Sequence, residues 1–201
     1  MAQAAKKVTK KTVAKKAVAA PKKKTAKKTA KKTSGLSAEK KAFIEAAGIA
    51  AKASEADTGV PASVTIAQAI LESGWGKSHM GDANNYFGIK AQVKSGKVVF
   101  GNVAIGFVDR PTKEFDKKTK KFVTVIAHFR AYKDMAGSFT DHGLFLRDNA
   151  RYAGAIAAYA ANKDANQFAR GLQAAGYATD PGYADKLISI MTSNDLYRFN
   201  A

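Results

Sequence analysis

The 201-residue chain has no cysteine. That excludes a disulfide framework, a cysteine-ligated zinc and a thiol nucleophile. It has only three histidines, His79, His128 and His142, and they show no HExxH or other metal-ligating spacing. The expectation is therefore a protein that works without metal or cofactor. No apolar run approaches the roughly 18–20 residues of a membrane span. The basic N-terminus is not followed by the apolar stretch of roughly 7–15 residues that a Sec signal peptide requires, so none is expected.

Residues 1–34 lack acidic and aromatic side chains altogether, yet hold 13 lysines. The formal charge of +18 is thus largely theirs, and the rest of the chain carries only +5. Lysine pairs separated by Thr, Ala, Val and Pro21 have nothing to bury and repel one another, which predicts a disordered tail over 1–35. Such a polycation suits an anionic wall polymer, lipopolysaccharide or nucleic acid, or serves only as a solubilising leader. Residues 36–201 predict the folded domain. At roughly 165 residues it can bury about 70% of its unfolded surface, enough for a core without covalent staples.

Within that domain the pattern is mainly helical. Ser37 predicts an N-cap for a helix with Phe43, Ala46, Ala47 and Ala50 at helical spacing to about Ser54. Pro61 opens a second helix whose apolar residues Val64, Ile66, Ala67, Ile70 and Leu71 cover more than one face, so it should be central and buried. Segments 97–109 and 122–130, rich in Val, Phe and Ile, predict strands, with Asp116–Lys121 as a hairpin turn. Helices then return. Ser138 with Asp141 has capping-box-like spacing, Asp164 predicts another N-cap, Gly176 a helix stop, and Asp180-Pro181 the start of a last helix. The fold class expected is α+β, mainly helical, with one small β-lobe.

Glu72 stands out at the end of the buried second helix. A carboxyl partly withdrawn from water has a raised pKa, which a general acid at neutral pH requires. A glutamate there also fits a plain salt-bridge or capping role, and position alone leaves both open. Trp75, three residues on, offers an indole that would wall in Glu72.

The stretch Ile66-Ala67-Gln68-Ala69-Ile70-Leu71-Glu72-Ser73-Gly74-Trp75-Gly76 resembles the signature of the glucosaminidase family, glycoside hydrolase family 73. That family includes the hydrolase domain of the flagellar rod protein and many autolysins. Asn84-Asn85-Tyr86-Phe87-Gly88-Ile89-Lys90, Phe129-Arg130-Ala131-Tyr132 and Gly176-Tyr177-Ala178-Thr179-Asp180-Pro181-Gly182-Tyr183-Ala184 are similar to three further blocks of it, in the family's order. The resemblance implies a lysozyme-like fold with a cleft between helices and β-lobe. It also implies hydrolysis of the β-1,4 bond after N-acetylglucosamine in the glycan strands of peptidoglycan.

Glu72 maps onto the family's general acid. Thr112-Lys113-Glu114-Phe115 fits the setting of a second carboxylate, with Asp109 and Asp116 as nearby substitutes and a substrate-assisted route also open. Tyr177 maps onto a cleft tyrosine that supports the acetamido sugar or the transition state. Ser73, Trp75, Asn85, Tyr86 and Tyr183 are candidate substrate contacts, and packing residues otherwise. Asp180, His128 and His142 are assigned no catalytic role. The expected setting is the cell wall, reached by a phage lysis enzyme or by a bacterial autolysin released without Sec. The alternatives are a lysozyme or lytic transglycosylase cutting the muramic acid bond, an inactive glycan-binding module, and a nucleic-acid-binding protein acting through the tail.

Overall fold

The computed structural model of the chain describes residues 35–116 and 118–201. The expected tail, to residue 34, lies outside the described residues, as does Lys117 in the lysine-rich turn. The described part comprises helices α1 (Ala38–Thr58), α2 (Ala62–Ser73), α3 (Met135–Arg147), α4 (Ala153–Asn162), α5 (Ala165–Ala174) and α6 (Tyr183–Ser193). Between α2 and α3 come two antiparallel hairpins, β1 (Gln92–Lys94) with β2 (Lys97–Val99), and β3 (Gly106–Asp116) with β4 (Lys121–Ala131). Among the described residues, no helix is long and apolar enough to cross a membrane.

Helix α2 is the centre of the core. Val64, Ile66 and Ile70 are buried, as are Ala62, Ala67 and Ala69 between them. Each large aliphatic side chain withdrawn from water in this way contributes about 1.5–3 kcal/mol. Helix α1 begins as expected, with the Ser37 hydroxyl accepting a bond from the Lys40 amide at 3.4 Å. It runs a turn beyond the expected Ser54, because its last turn is needed. The Glu55 carboxylate accepts from the Ala62 amide at 3.0 Å and from the Tyr159 hydroxyl at 2.7 Å. It thereby satisfies a free N–H at the start of α2, where Pro61 offers no capping side chain.

Two expected helix starts move. The N-cap of α3 is Asp134, whose carboxylate accepts from the Gly137 amide at 3.0 Å. Ser138 and Asp141 lie inside the helix and are buried, Ser138 accepting from the Tyr86 amide in the loop after α2 and Asp141 from the Tyr132 hydroxyl just after β4, rather than from the helix start. The Asp180 carboxylate caps the turn that precedes α6, accepting from the Gly182 amide at 2.9 Å, and the helix itself begins at Tyr183. The Asp164 cap stands as expected, accepting from the Asn166 and Gln167 amides.

The strand region is two hairpins rather than one. Ser95 and Gly96 both have positive φ, which makes the two-residue turn between β1 and β2 that suits the twist of a short hairpin. The expected strand over 97–109 breaks at Gly101 (φ +80) and resumes at Gly106. Strands β3 and β4 then pair over their whole length, from Gly106 opposite Ala131 to Asp116 opposite Lys121. The base of this hairpin is fastened to the loop after α2: the Ala91 amide donates to His128 O, and the Arg130 amide to Ile89 O. Phe129 is the one buried side chain of β4.

Candidate active site

The C-terminal end of α2, the loop 87–92, α3 and the segment after α5 enclose a cleft of about 490 Å³. Its walls include Glu72, Phe87, Lys90, Arg130, His142, Tyr152 and Tyr177. Glu72 reaches it from the last turn of α2. The residue is exposed. The cleft nonetheless withholds enough water from the charged form to raise its pKa above the ordinary glutamate value.

Tyr177 is placed by the end of α5. Gly176, at φ +75, ends that helix, and the Tyr177 amide donates to Leu172 O while the Gly176 amide donates to Gln173 O. This pair of bonds is the Schellman arrangement, which glycine favours because it takes up the left-handed conformation without steric cost. The next side chain is thereby fixed at the cleft wall. Burial pushes the Tyr177 phenol well above the usual tyrosine range, and the neighbouring Tyr183 and Glu72 add to the effect. The phenol is a neutral hydrogen-bonding group at any working pH.

Behind Tyr177 stands a polar ladder. Its ring stacks on Tyr183 with centroids 5.4 Å apart, and Gln68 of α2 donates to the Tyr183 hydroxyl at 2.9 Å. On the other side its hydroxyl lies 3.4 Å from His142 Nε2. His142 is fully buried, stacked on Phe87 at 3.9 Å, and burial holds its pKa down to about 3. It is a neutral imidazole that shapes the cleft. Its signal in the sequence is a polar residue on the apolar face that carries Phe139 and Leu146, three residues before it and four after.

Arg130, known from the sequence only as part of a motif block, and Asp141, expected in a capping box, turn out to be partners of each other. Arg130 donates to both carboxylate oxygens of Asp141, at 3.0 and 2.8 Å, and the Tyr132 hydroxyl donates to the same carboxylate at 2.6 Å. The Phe129-Arg130-Ala131-Tyr132 block is therefore a joint. It fixes the base of β4 to α3 through one buried carboxylate.

Of the candidate site residues, the structure brings Glu72 and Tyr177 together, with Tyr183 directly behind. It places four others elsewhere. Trp75 does not wall in Glu72. Gly74, Trp75 and Gly76 all have positive φ, so the chain reverses there, and the indole packs on Phe43 of α1 with Lys40 Nζ 4.5 Å from its ring. Ser73 is buried, donating to Ala69 O and accepting from the Gly76 amide, which stabilises that reversal. Asn85 is buried with its amide nitrogen bonded to Ile89 O and Arg130 O, so it shapes the loop. Tyr86 is a core residue among Phe43, His79 and Phe139.

Glu114 lies on β3 and forms an ion pair with Lys90, itself a wall of the cleft. Its two possible substitutes are engaged otherwise. Asp109 pairs with His128 across the strands, and Asp116 accepts from the Lys118 and Thr119 amides in the turn. Among the described residues, no group of His, Asp and Glu side chains is arranged to hold a metal ion.

Comparison with known proteins agrees with this geometry. The model of the glucosaminidase family, described as mannosyl-glycoprotein endo-beta-N-acetylglucosaminidase, matches residues 48–196. The peptidoglycan hydrolase FlgJ of Vibrio parahaemolyticus is 40% identical over 136 residues, which is 66% of this chain and 40% of that protein. The exo-glucosaminidase LytG of Bacillus subtilis is 38% identical over 144 residues, 69% of this chain and 45% of that protein. The chain thus spans less than half the length of either relative. The catalytic domain of the autolysin Auto from Listeria monocytogenes superposes with a TM-score of 0.68 at 28% identity, covering 83% of this chain and 90% of that domain. The helical body, its β-lobe and the cleft between them are those of the expected lysozyme-like architecture, and the chain belongs to the glucosaminidase family.

Proposed function

We propose that the chain is a peptidoglycan hydrolase that cleaves the β-1,4 bond after N-acetylglucosamine, with Glu72 as its general acid. The observation that carries this reading is the placement of Glu72 at the end of a buried helix and in the wall of the cleft, where burial raises its carboxyl above the ordinary glutamate value. A protonated Glu72 can deliver its proton to the glycosidic oxygen as the bond breaks. Positive charge then develops at the anomeric carbon. The neutral Tyr177 phenol stands at the same wall, able to hold the acetamido group or to support that charge through its oxygen.

The second group in this reading is Glu114. It is held by Lys90, and a substrate that engages Lys90 would release the carboxylate to activate water or to stabilise the cation. Asp109 and Asp116 serve less well because each already has a partner on the hairpin. Participation of the substrate's own N-acetyl group is the competing route to the same products. The FlgJ name supports peptidoglycan as substrate and the LytG name the glucosaminidase bond, while a Lactococcus lactis relative is named a probable N-acetylmuramidase. The lysine-rich segment, with its 13 cations, would add an electrostatic hold on anionic wall polymers.

The test is mass spectrometry of the products from purified sacculi. Reducing-end N-acetylglucosamine is expected. Reducing or anhydro muramic acid ends would assign the other glycosidic bond, and the size of the products distinguishes internal cleavage from trimming at chain ends. A Tyr177→Phe variant should lose roughly tenfold or more in turnover, while losing its hydroxyl contacts to His142 and Tyr183 should cost only about 0.5–1.5 kcal/mol each in stability.

A further inference from the structure

We propose that the tip of the β3–β4 hairpin is a docking surface for an anionic lipid bilayer. The outer half of this hairpin exposes three large apolar side chains on one face, flanking a single polar pair. On one face, Phe115 lies opposite Phe122, Lys113 opposite Thr124 and Pro111 opposite Ile126. Phe122 is 71% exposed, Ile126 64% and Phe115 49%, and the two phenylalanine rings meet edge to face at 5.5 Å. Exposed apolar surface gathered in one place, rather than scattered singly, marks an interaction site.

The charges around this patch indicate what covers it. Between residues 113 and 121 the sequence has five lysines against Glu114 and Asp116. Glu114 is drawn to Lys90, and the Asp116 carboxylate is engaged by turn amides. The tip is therefore an aromatic pair within a cationic collar. Phenylalanine rings that enter the acyl boundary, flanked by lysines whose long stems reach back to phosphate, supply both of the signals that reversible membrane attachment needs. A second copy of the chain would bring the same positive collar and be repelled.

The geometry leaves the cleft free. Side chains alternate along a strand, so Glu114, which turns to the cleft wall at Lys90, is on the face opposite Phe115. A hairpin seated on lipid by its outer face would hold the domain at the membrane with its cleft still open to a glycan strand. This inference does not depend on which glycosidic bond is cut.

The experiment uses the full chain with Phe122→Trp and reads the emission of the introduced indole. The natural chain, whose one tryptophan is Trp75, is the control. Vesicles of phosphatidylglycerol should shift the variant's emission to the blue relative to that control, and brominated acyl chains should quench it. Phosphatidylcholine vesicles should do neither. The readout is local, so attachment through the N-terminal lysines alone cannot produce it. Adding Phe115→Ser should weaken partition into phosphatidylglycerol roughly tenfold or more. Three results would overturn the proposal: no shift or quenching on phosphatidylglycerol, a shift with soluble glycan strands but not vesicles, or a concentration-dependent shift without either, which would mean self-association.

Discussion

The two sides of the cleft are built by different physics. The helical side carries Glu72 on α2, and ten of the twelve residues of that helix are buried. The β side carries Glu114 on a two-stranded hairpin, whose partner strand buries only Phe129. Glu72, the proposed acid, is thus held by a packed core that resists displacement. The proposed second carboxylate is held by one ladder of backbone bonds and an exposed ion pair, which can move. A rigid proposed acid together with an adaptable second carboxylate would suit a cleft that admits and releases a polymer. The Arg130–Asp141–Tyr132 cluster is where the two kinds of structure are fastened together.

Breaking that joint should have the largest effect on stability. Asp141→Ala leaves a largely buried guanidinium, only 17% exposed, without its carboxylate, and should cost roughly 3–5 kcal/mol in denaturant unfolding. The contrast between the two sides can be measured directly in the same assay. Ile66→Ala, at the heart of α2, should cost about 2–5 kcal/mol by leaving a cavity. Gly143→Ala tests how tightly the body is closed. A methyl there would meet Ser54 Oγ at 2.4 Å and Thr58 Oγ1 at 2.8 Å, so α1 and α3 must separate, at about 1–3 kcal/mol. Ile126→Ser on the outer hairpin should change stability by less than about 0.5 kcal/mol. Equal losses at Ile66 and Ile126 would erase the distinction.

How much of this was legible in the sequence follows from the same contrast. Local signals placed what local physics decides: the Ser37 and Asp164 caps, the Gly176 stop that fixes Tyr177, and the apolar coverage that makes α2 central. The motifs carried the family and, with it, the cleft. What was missed depends on contacts far apart in the chain. The start of α3 shifted because Ser138 and Asp141, spaced like a capping box, bond instead to Tyr86 and to Arg130 and Tyr132. The orientation of Trp75 could not be read from its distance of three residues from Glu72, because three successive left-handed residues turn it toward α1. His142 is assigned no catalytic role from the sequence, and only the tertiary approach of Tyr177 and Phe87 shows it in the cleft.

The most direct test is the turnover of purified sacculi by Glu72→Gln against the natural chain across a range of pH. Removing the proposed proton donor should lower the rate by roughly 10²–10⁴-fold with no loss of fold, since Glu72 is an exposed residue at the end of its helix. In the natural chain Glu72 must be protonated to act. Activity should therefore fall as pH rises through its elevated pKa, and that alkaline limb should be missing from whatever residual activity the variant keeps. A Glu72→Gln variant that digests sacculi at the natural rate, with the same alkaline limb, would contradict the account.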